Sequence, residues 1–193
     1  MKLILASASP RRAELLRSLG LQFDIMPTGA TERDEHPTSF HDLAIHNAQT
    51  KASDVAARHP DALILGADTI VVPGGEVFGK PRDLDDARRM LRSLSGRSHS
   101  VITGVCLIHR GGNRERAFAV ETRVQFRALS DADIEQYLDA VHVLDKAGAY
   151  AIQEGPPLVA GIEGSYSNVI GLPMERLAAE LREFGVRAEP ERH

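Results

Sequence analysis

The chain has 193 residues, of which 42% are hydrophobic and 26% charged, a composition typical of a folded globular protein rather than a disordered one. A net charge of −4 and an aromatic content of 5% argue against a surface that binds nucleic acid, which is normally basic and rich in stacking side chains. No stretch approaches the ~18 apolar residues of a membrane span, and the single cysteine, Cys106, cannot form an internal disulfide. We therefore expect a soluble, cytoplasmic protein with no membrane or nucleic-acid partner.

The N-terminal residues predict a short buried strand at 3–6 and a helix that begins after Ser9. Ser9 followed by Pro10 is a strong helix-start signal, because serine caps free amides and proline is preset for the first helical position. Arg11 and Arg12 then fall in the first turn, where the helix dipole disfavours positive charge. A strand, a short loop and a helix start form an anion-binding arrangement, but two arginines at this place still need an explanation.

The rest of the chain alternates predicted helices and strands. The predicted helices are 40–57, 85–94, 130–141 and 173–184, and the predicted strands are 63–72, 77–78, 98–109, 114–128, 149–152 and 159–163. The segments 28–38 and 165–172 are predicted loops, and the tail 188–193 is expected to fray. The two longest strands are joined by a Gly-Gly-Asn turn, which predicts a hairpin and therefore a mixed rather than a purely parallel sheet. We expect one mixed α/β domain, 1–193, in two lobes.

Asp68 breaks a local rule, because it lies inside the apolar run LILGADTIVV. Burying a carboxylate costs several kcal/mol unless partners compensate. A structural explanation would tie Asp68 to backbone amides or to an arginine. With Gly66 and Ala67 leaving backbone room before it, the sequence favours a functional aspartate that faces a cleft.

Other polar residues give weaker signals. Lys80 precedes Pro81, which restricts the lysine to extended backbone geometry and so fixes where its side chain leaves the chain. Taken alone, this lysine is as compatible with an ordinary surface loop as with a site. Gln153, at the end of DKAGAYAIQ, can pair with an amide-like edge through both a donor and an acceptor. His99 is interpreted as a strand-edge histidine satisfied by its neighbours, and Cys106 as a core residue. The histidine spacing argues against a zinc site.

Taken together, the motifs LILASASPRRAELL, GADTIV, GKPRD, SGRSHSVITGV, DKAGAYAIQ and GSYSNVIGLP, with Lys51-Ala52 between the first two, resemble the Maf family of nucleoside triphosphate pyrophosphatases in order and spacing. The resemblance implies an elongated twisted sheet flanked by helices, with two lobes around a central cleft, as in inosine-triphosphatase-like folds. It also implies a homodimer, a divalent metal cofactor (Mg or Mn), and cleavage of a nucleotide between its α and β phosphates. The paired arginines are then counterions for a polyphosphate.

The resemblance also implies roles for individual residues. The nucleotide-binding residues would be Ser7, Ser9, Arg11, Arg12, Lys51, Thr69, Lys80 and Gln153. Asp68, Lys80 and Arg12 would be catalytic, with Asp68 as the base that accepts a proton from the attacking water. Glu32 and Asp68 would be the metal ligands, and whether Asp68 acts as base or as ligand stays open at this stage.

Three positions bear on specificity. Arg11, Thr69 and Gln153 match the family members that act on dTTP and UTP, whereas those that act on 7-methyl-GTP tend to carry Trp, Gln and Glu. Two departures from the family pattern stand out: Asn47 replaces a usual leucine, and Glu154 follows Gln153 where glycine is common. The alternatives are a pyrophosphatase for 7-methyl-GTP or a modified nucleotide, and a non-catalytic nucleotide sensor linked to cell division.

Overall fold

The computed structural model describes residues 1–34 and 38–187; the predicted frayed tail, 188–193, lies outside them. The strands are β1 (Leu3–Leu5), β2 (Asp24–Ile25), β3 (Leu63–Val72), β4 (Ser98–His109), β5 (Arg114–Phe126) and β6 (Val159–Glu163). The helices are α1 (Pro10–Arg17), α2 (Phe40–Ala56), α3 (Leu84–Leu94), α4 (Asp131–Ala140), α5 (Tyr166–Ile170) and α6 (Met174–Glu183). No helix within these ranges is both long enough and apolar enough to cross a bilayer.

All six strands form one sheet in the order β2-β1-β3-β4-β5-β6. β1 is parallel to both β2 and β3, with Ile4 opposite Asp24 and Ile64. β5 and β6 are antiparallel, with Val124 opposite Ile162. The sheet is therefore mixed, as predicted, and the fold is a mixed α/β fold.

The structure differs from the predicted elements in four places. β2 was not predicted, because two residues are too few to show a period. Residues 149–152 are not a strand; a short 3-10 turn at Ala147–Ala149 is followed by irregular chain. The predicted loop 165–172 contains helix α5. The predicted strand 77–78 is reduced to one antiparallel bridge between Val71 and Phe78.

The chain divides into two compact units. Unit 1 comprises Met1–Asp68, Thr103–Val120 and Gly171–His193, and unit 2 comprises Thr69–Ile102 and Glu121–Ile170. Each unit has its own hydrophobic core. In unit 2, Phe78, Leu91, Phe126 and Tyr137 are fully buried in a single core cluster.

In unit 1, helix α2 packs directly onto the sheet through two glycines. A Cβ atom on Gly66 of β3 would lie 2.3 Å from the carbonyl oxygen of Ala48, and one on Gly104 of β4 would lie 2.2 Å from the carbonyl group of Ala44. Neither position has room for a side chain. This close approach lets polar side chains of α2 reach Asp68, two residues after Gly66.

Candidate active site

Two serines and an arginine lie at the start of helix α1, in unit 1. Ser9 is the N-cap and accepts a hydrogen bond from the backbone N–H of Arg12, and Pro10 occupies the first turn, as predicted. The Arg12 guanidinium donates from Nε to the carbonyl of Gly171 at 3.0 Å and from a terminal nitrogen to Ser7 Oγ at 3.2 Å. Arg12 is thus fixed by two partners on different segments of the same unit.

Asp68 is buried, with 5% of its surface exposed, and side chains of α2 contact both of its carboxylate oxygens. Lys51 Nζ lies 2.8 Å from Oδ1, and Asn47 Nδ2 donates to Oδ2 at 3.0 Å. Lys51 and Asn47 are four residues apart and therefore share one face of the helix. The carboxylate is hydrogen-bonded to a lysine and a side-chain amide.

The electrostatics of this cluster favour an ionised Asp68. Burial raises the pKa of the carboxyl, but the Lys51 ammonium, the Arg12 guanidinium and the Asn47 amide together outweigh it, so the pKa lies below its ordinary value. Burial in turn lowers the pKa of Arg12, which Asp68 and Glu32 partly restore. An ionised carboxylate can accept a proton or bind a cation.

Glu32 joins the same cluster. Its Oε1 lies 2.8 Å from Lys51 Nζ, so the ammonium bridges Glu32 and Asp68. Two carboxylates that meet on one cation suit Mg²⁺ or Mn²⁺, which take oxygen ligands and are commonly held by one or two carboxylates plus substrate phosphates. Among residues 1–34 and 38–187, no group of three or more His, Cys, Asp or Glu side chains is arranged to hold a metal. The two carboxylates are oxygen donors of the kind that such a metal takes.

Three predicted nucleotide-binding residues, Thr69, Lys80 and Gln153, belong to unit 2. The side chain of Lys80 is exposed. The loop before it is held where Gly148 N donates to the Gly79 carbonyl at 3.0 Å. Gly148 has a φ of +69°, and a Cβ there would lie 3.0 Å from Val71, which explains a glycine at this position of the DKAGAYAIQ motif.

Gln153 lies on a turn that is anchored on either side. The Tyr137 hydroxyl accepts from the Ala151 N–H at 2.9 Å and donates to its carbonyl at 3.3 Å. Glu154 pairs with the buried Lys146 at 3.3 Å. The exposed Gln153 is thereby presented between two fixed neighbours.

Two further interpretations are tested in the cores. Cys106 is buried, as expected, and burial raises the pKa of its thiol. His99 is buried rather than at an edge; its Nε2 is 2.8 Å from the Tyr150 hydroxyl. Its Nδ1 has no hydrogen-bond partner within the described part of the chain. The description of His99 as satisfied by its neighbours is therefore wrong for one ring nitrogen.

Sequence reasoning did not assign Asn47 to the site. It was noticed only as a departure from an apolar helix face. The available signal was its spacing: a buried amide one turn before Lys51 is costly unless it meets a polar partner. Here that partner is Asp68.

Known proteins resemble this chain over almost its whole length. A family model described as Maf-like protein matches residues 2–184. A dTTP/UTP pyrophosphatase of Carboxydothermus hydrogenoformans is 46% identical over 186 residues, covering 96% of this chain and 100% of that protein. One from Anaeromyxobacter dehalogenans is 49% identical over 188 residues, covering 95% and 94%.

Among solved structures, the Staphylococcus aureus Ham1 protein matches with a TM-score of 0.47 and 12% identity, covering 65% of this chain and 72% of that one, a likeness too slight to support an argument. The family match and the curated relatives extend over almost the whole sequence. The chain belongs to the Maf family.

Proposed function

We propose that the chain is a nucleoside triphosphate pyrophosphatase that hydrolyses dTTP and UTP to the nucleoside monophosphate and pyrophosphate. The names of relatives at 46–49% identity support this activity. The observation that carries it is the cluster in unit 1, where Asp68 and Glu32 share the Lys51 ammonium. Two carboxylates and a cation in one cluster support metal-assisted hydrolysis of a phosphoanhydride.

The cations of this cluster suit phosphate binding. A nucleoside triphosphate carries about four negative charges near neutral pH, and its hydrolysis depends on charge stabilisation more than on covalent chemistry. Arg12 and Lys51 are buried enough to interact strongly with such charges, and the amides at the start of α1 add donors alongside Ser7 and Ser9. The family resemblance assigns phosphate contacts to Lys80 as well.

Asp68 is proposed as the group that accepts a proton from the attacking water while the α–β phosphoanhydride bond breaks. Its lowered pKa keeps it at neutral pH in the ionised form that can accept a proton, and the same shift makes it a weaker base. Glu32 and Asp68 would hold a divalent metal, Mg or Mn, which when bound withdraws charge from phosphate oxygens. The two-carboxylate cluster supports Asp68 both as the proton acceptor and as a metal ligand.

Preference for thymine or uracil is proposed to depend on Arg11, Thr69 and Gln153. A neutral glutamine offers both a donor and an acceptor, which matches the mixed edge of these bases, whereas glutamate suits the donors and positive charge of methylated guanine. Glu154 adds a carboxylate beside Gln153, and this carboxylate is held by Lys146 at 3.3 Å, an ammonium that also pairs with Asp145 at 2.9 Å. We therefore expect Glu154 to leave the preference for dTTP and UTP intact.

The test is pyrophosphate release from dTTP, UTP, CTP and 7-methyl-GTP, each with and without Mg²⁺ or Mn²⁺. Fastest release from dTTP and UTP, dependent on the metal, is expected. Asp68→Asn should keep the fold and lose at least about 100-fold in kcat, whereas Asp24→Asn, an exposed carboxylate of the same unit, is the matched control. Near-normal turnover by Asp68→Asn would remove Asp68 from the chemistry.

The same experiment separates the rival functions. Faster release from 7-methyl-GTP would assign a different substrate, and tight nucleotide binding without products would favour a sensor. The resemblance further supports a homodimer in the cytoplasm. Light scattering of the purified chain tests the dimer, and a monomeric mass at working concentration would contradict it.

A further inference from the structure

Asn47 is a buried amide whose hydrogen bonds all reach the candidate site. It lies on helix α2 with 2% of its surface exposed. Its Nδ2 donates to Asp68 Oδ2 and to the Arg33 carbonyl, both at 3.0 Å, and its Oδ1 accepts from the Arg33 N–H at 2.9 Å. Both amide hydrogens and the amide oxygen are therefore used.

This pattern fixes which way the amide faces. If the Asn47 amide were rotated by half a turn, its oxygen would face the Asp68 carboxylate and the Arg33 carbonyl, and its NH₂ group would face an N–H donor. All three contacts would become repulsive. Asn47 can therefore serve its neighbours in one orientation, with a donor directed at Asp68.

The contacts of Asn47 restrict Asp68 and the segment that carries Glu32 together. Lys51 contacts one carboxylate oxygen of Asp68 and Asn47 the other, so rotation of the carboxylate would break one of the two contacts. The paired bonds to Arg33 attach the residue next to Glu32 to the same helix. One side chain thus sets the orientation of one acid and the position of the segment bearing the second.

We propose that Asn47 is a positioning residue, which holds the Asp68 carboxylate in its reactive orientation and fastens the Glu32 segment beside it. This inference rests on the proposed pyrophosphatase activity. Asn47 acts through Asp68 and does not itself contact the nucleotide. Its loss should therefore slow the reaction of bound substrate more than it weakens substrate binding.

The test compares substitutions of Asn47 with a matched change on the same helix. Asn47→Leu removes the donor while keeping a side chain of the same branched shape, with the residue that is usual in the family. Asn47→Gln keeps the amide. Gln49→Leu makes the same amide-to-leucine change two residues away, where the side chain contacts Glu115 instead of Asp68. For each variant, kcat and KM for dTTP are measured together with the melting temperature.

Asn47→Leu should lower kcat about tenfold while KM stays within about twofold, because the lost contact is a hydrogen bond to a charged group that orients it. Asn47→Gln should recover at least about half of that loss on a logarithmic scale, so that its kcat falls by about threefold or less. Gln49→Leu should behave like the unmodified chain. The cost of Asn47→Leu should also shrink to less than about twofold when Asp68 is already asparagine.

Four outcomes would overturn the proposal: unchanged kcat in Asn47→Leu, a loss confined to KM, an equal loss in Gln49→Leu, or no recovery in Asn47→Gln. If Asn47→Leu does not fold, Asn47→Ser replaces it in the same comparison. Lack of pyrophosphate release by the unmodified chain would instead refute the proposed function, so the two failures are distinguishable.

Discussion

His99 makes the stability of unit 2 depend on pH in a direction that can be worked out. The imidazole is buried against Phe126 and Tyr150, with ring centroids 5.1 and 5.6 Å away. Burial lowers the pKa of His99 from 6.5 to about 4. Between these values the unfolded chain binds a proton at His99 and the folded chain does not. The free energy of unfolding must therefore fall as the pH falls from about 6.5 to about 4.

The size of this effect follows from the shift in pKa. One pKa unit corresponds to about 1.4 kcal/mol, so the complete contribution of His99 is about 3 kcal/mol. By linkage, about 1 kcal/mol is lost between pH 7 and pH 5.5, and about 2 kcal/mol between pH 7 and pH 4.5. These losses are a large share of the stability of an ordinary domain.

The assay is urea unfolding of the unmodified chain and of His99→Gln, which keeps a partner for the Tyr150 hydroxyl but does not titrate. Other titrating groups contribute equally to both proteins, so their difference isolates His99. The stability advantage of the unmodified chain should fall by about 2 kcal/mol between pH 7 and pH 4.5. His142→Gln, an exposed histidine of the same unit, controls for the loss of a histidine. A difference that is constant across this pH range would refute burial of a neutral imidazole.

Four further substitutions have defined outcomes. Lys80→Ala should leave the melting temperature within about 2 °C, since the side chain is exposed, but raise KM for dTTP and lower kcat; unchanged kinetics would remove Lys80 from the site. Gly66→Ala should destabilise by about 3 kcal/mol in urea unfolding, because its Cβ has no room; an unchanged midpoint would contradict this packing. Glu154→Gly should keep the ratio of dTTP to 7-methyl-GTP hydrolysis within about threefold, since the carboxylate is already paired with Lys146. Gln153→Glu should shift that ratio towards 7-methyl-GTP by at least about tenfold, and equal falls in both rates would contradict its role in specificity.

The elements that sequence reasoning predicted well are those specified by local signals. Strand β3 spans 63–72 and β4 spans 98–109, both with the predicted bounds, because long apolar runs end at clear turn residues. Helix α1 begins where Ser9 and Pro10 predict. Ser130 and Asp133 form the predicted capping box at the start of α4.

The strand predictions fail where a segment is buried without pairing to another strand, or pairs without being buried. The run 149–152 is apolar and largely buried, so it resembles a strand in sequence, yet it joins no strand ladder. Ala149 has a φ of +62°, which a strand does not allow. β2 shows the converse, because its two exposed residues pair with β1, and a single apolar residue, Ile25, is too little to indicate a strand. Pairing depends on long-range geometry that a local pattern does not contain.

Part of the candidate cluster is visible in the sequence as violations of local rules. Asp68 and Arg12 each violated a local rule, and the structure places both in unit 1, with their charges interacting. The hydrogen bond from Asn47 to Asp68 was not predicted. In the sequence Asn47 is only a polar residue on an otherwise apolar helix face, and the packing of α2 on Gly66 is not visible there. Violations of local rules thus located the charged groups, whereas close packing determined which groups meet.

The charges of this cluster also limit how a phosphate can enter it. Arg12 and Lys51 carry two positive charges and Glu32 and Asp68 two negative ones, so the protein alone compensates the burial of Asp68 and needs no ligand to do so. A polyphosphate that approaches Lys51 must compete with two carboxylates already within 2.8 Å of its ammonium. Lys51 becomes available to a phosphate only when another cation neutralises the carboxylates of Glu32 and Asp68. A metal requirement is then expected even for nucleotide binding, and equal affinity for a non-hydrolysable dTTP analogue with and without Mg²⁺ would contradict this competition for Lys51.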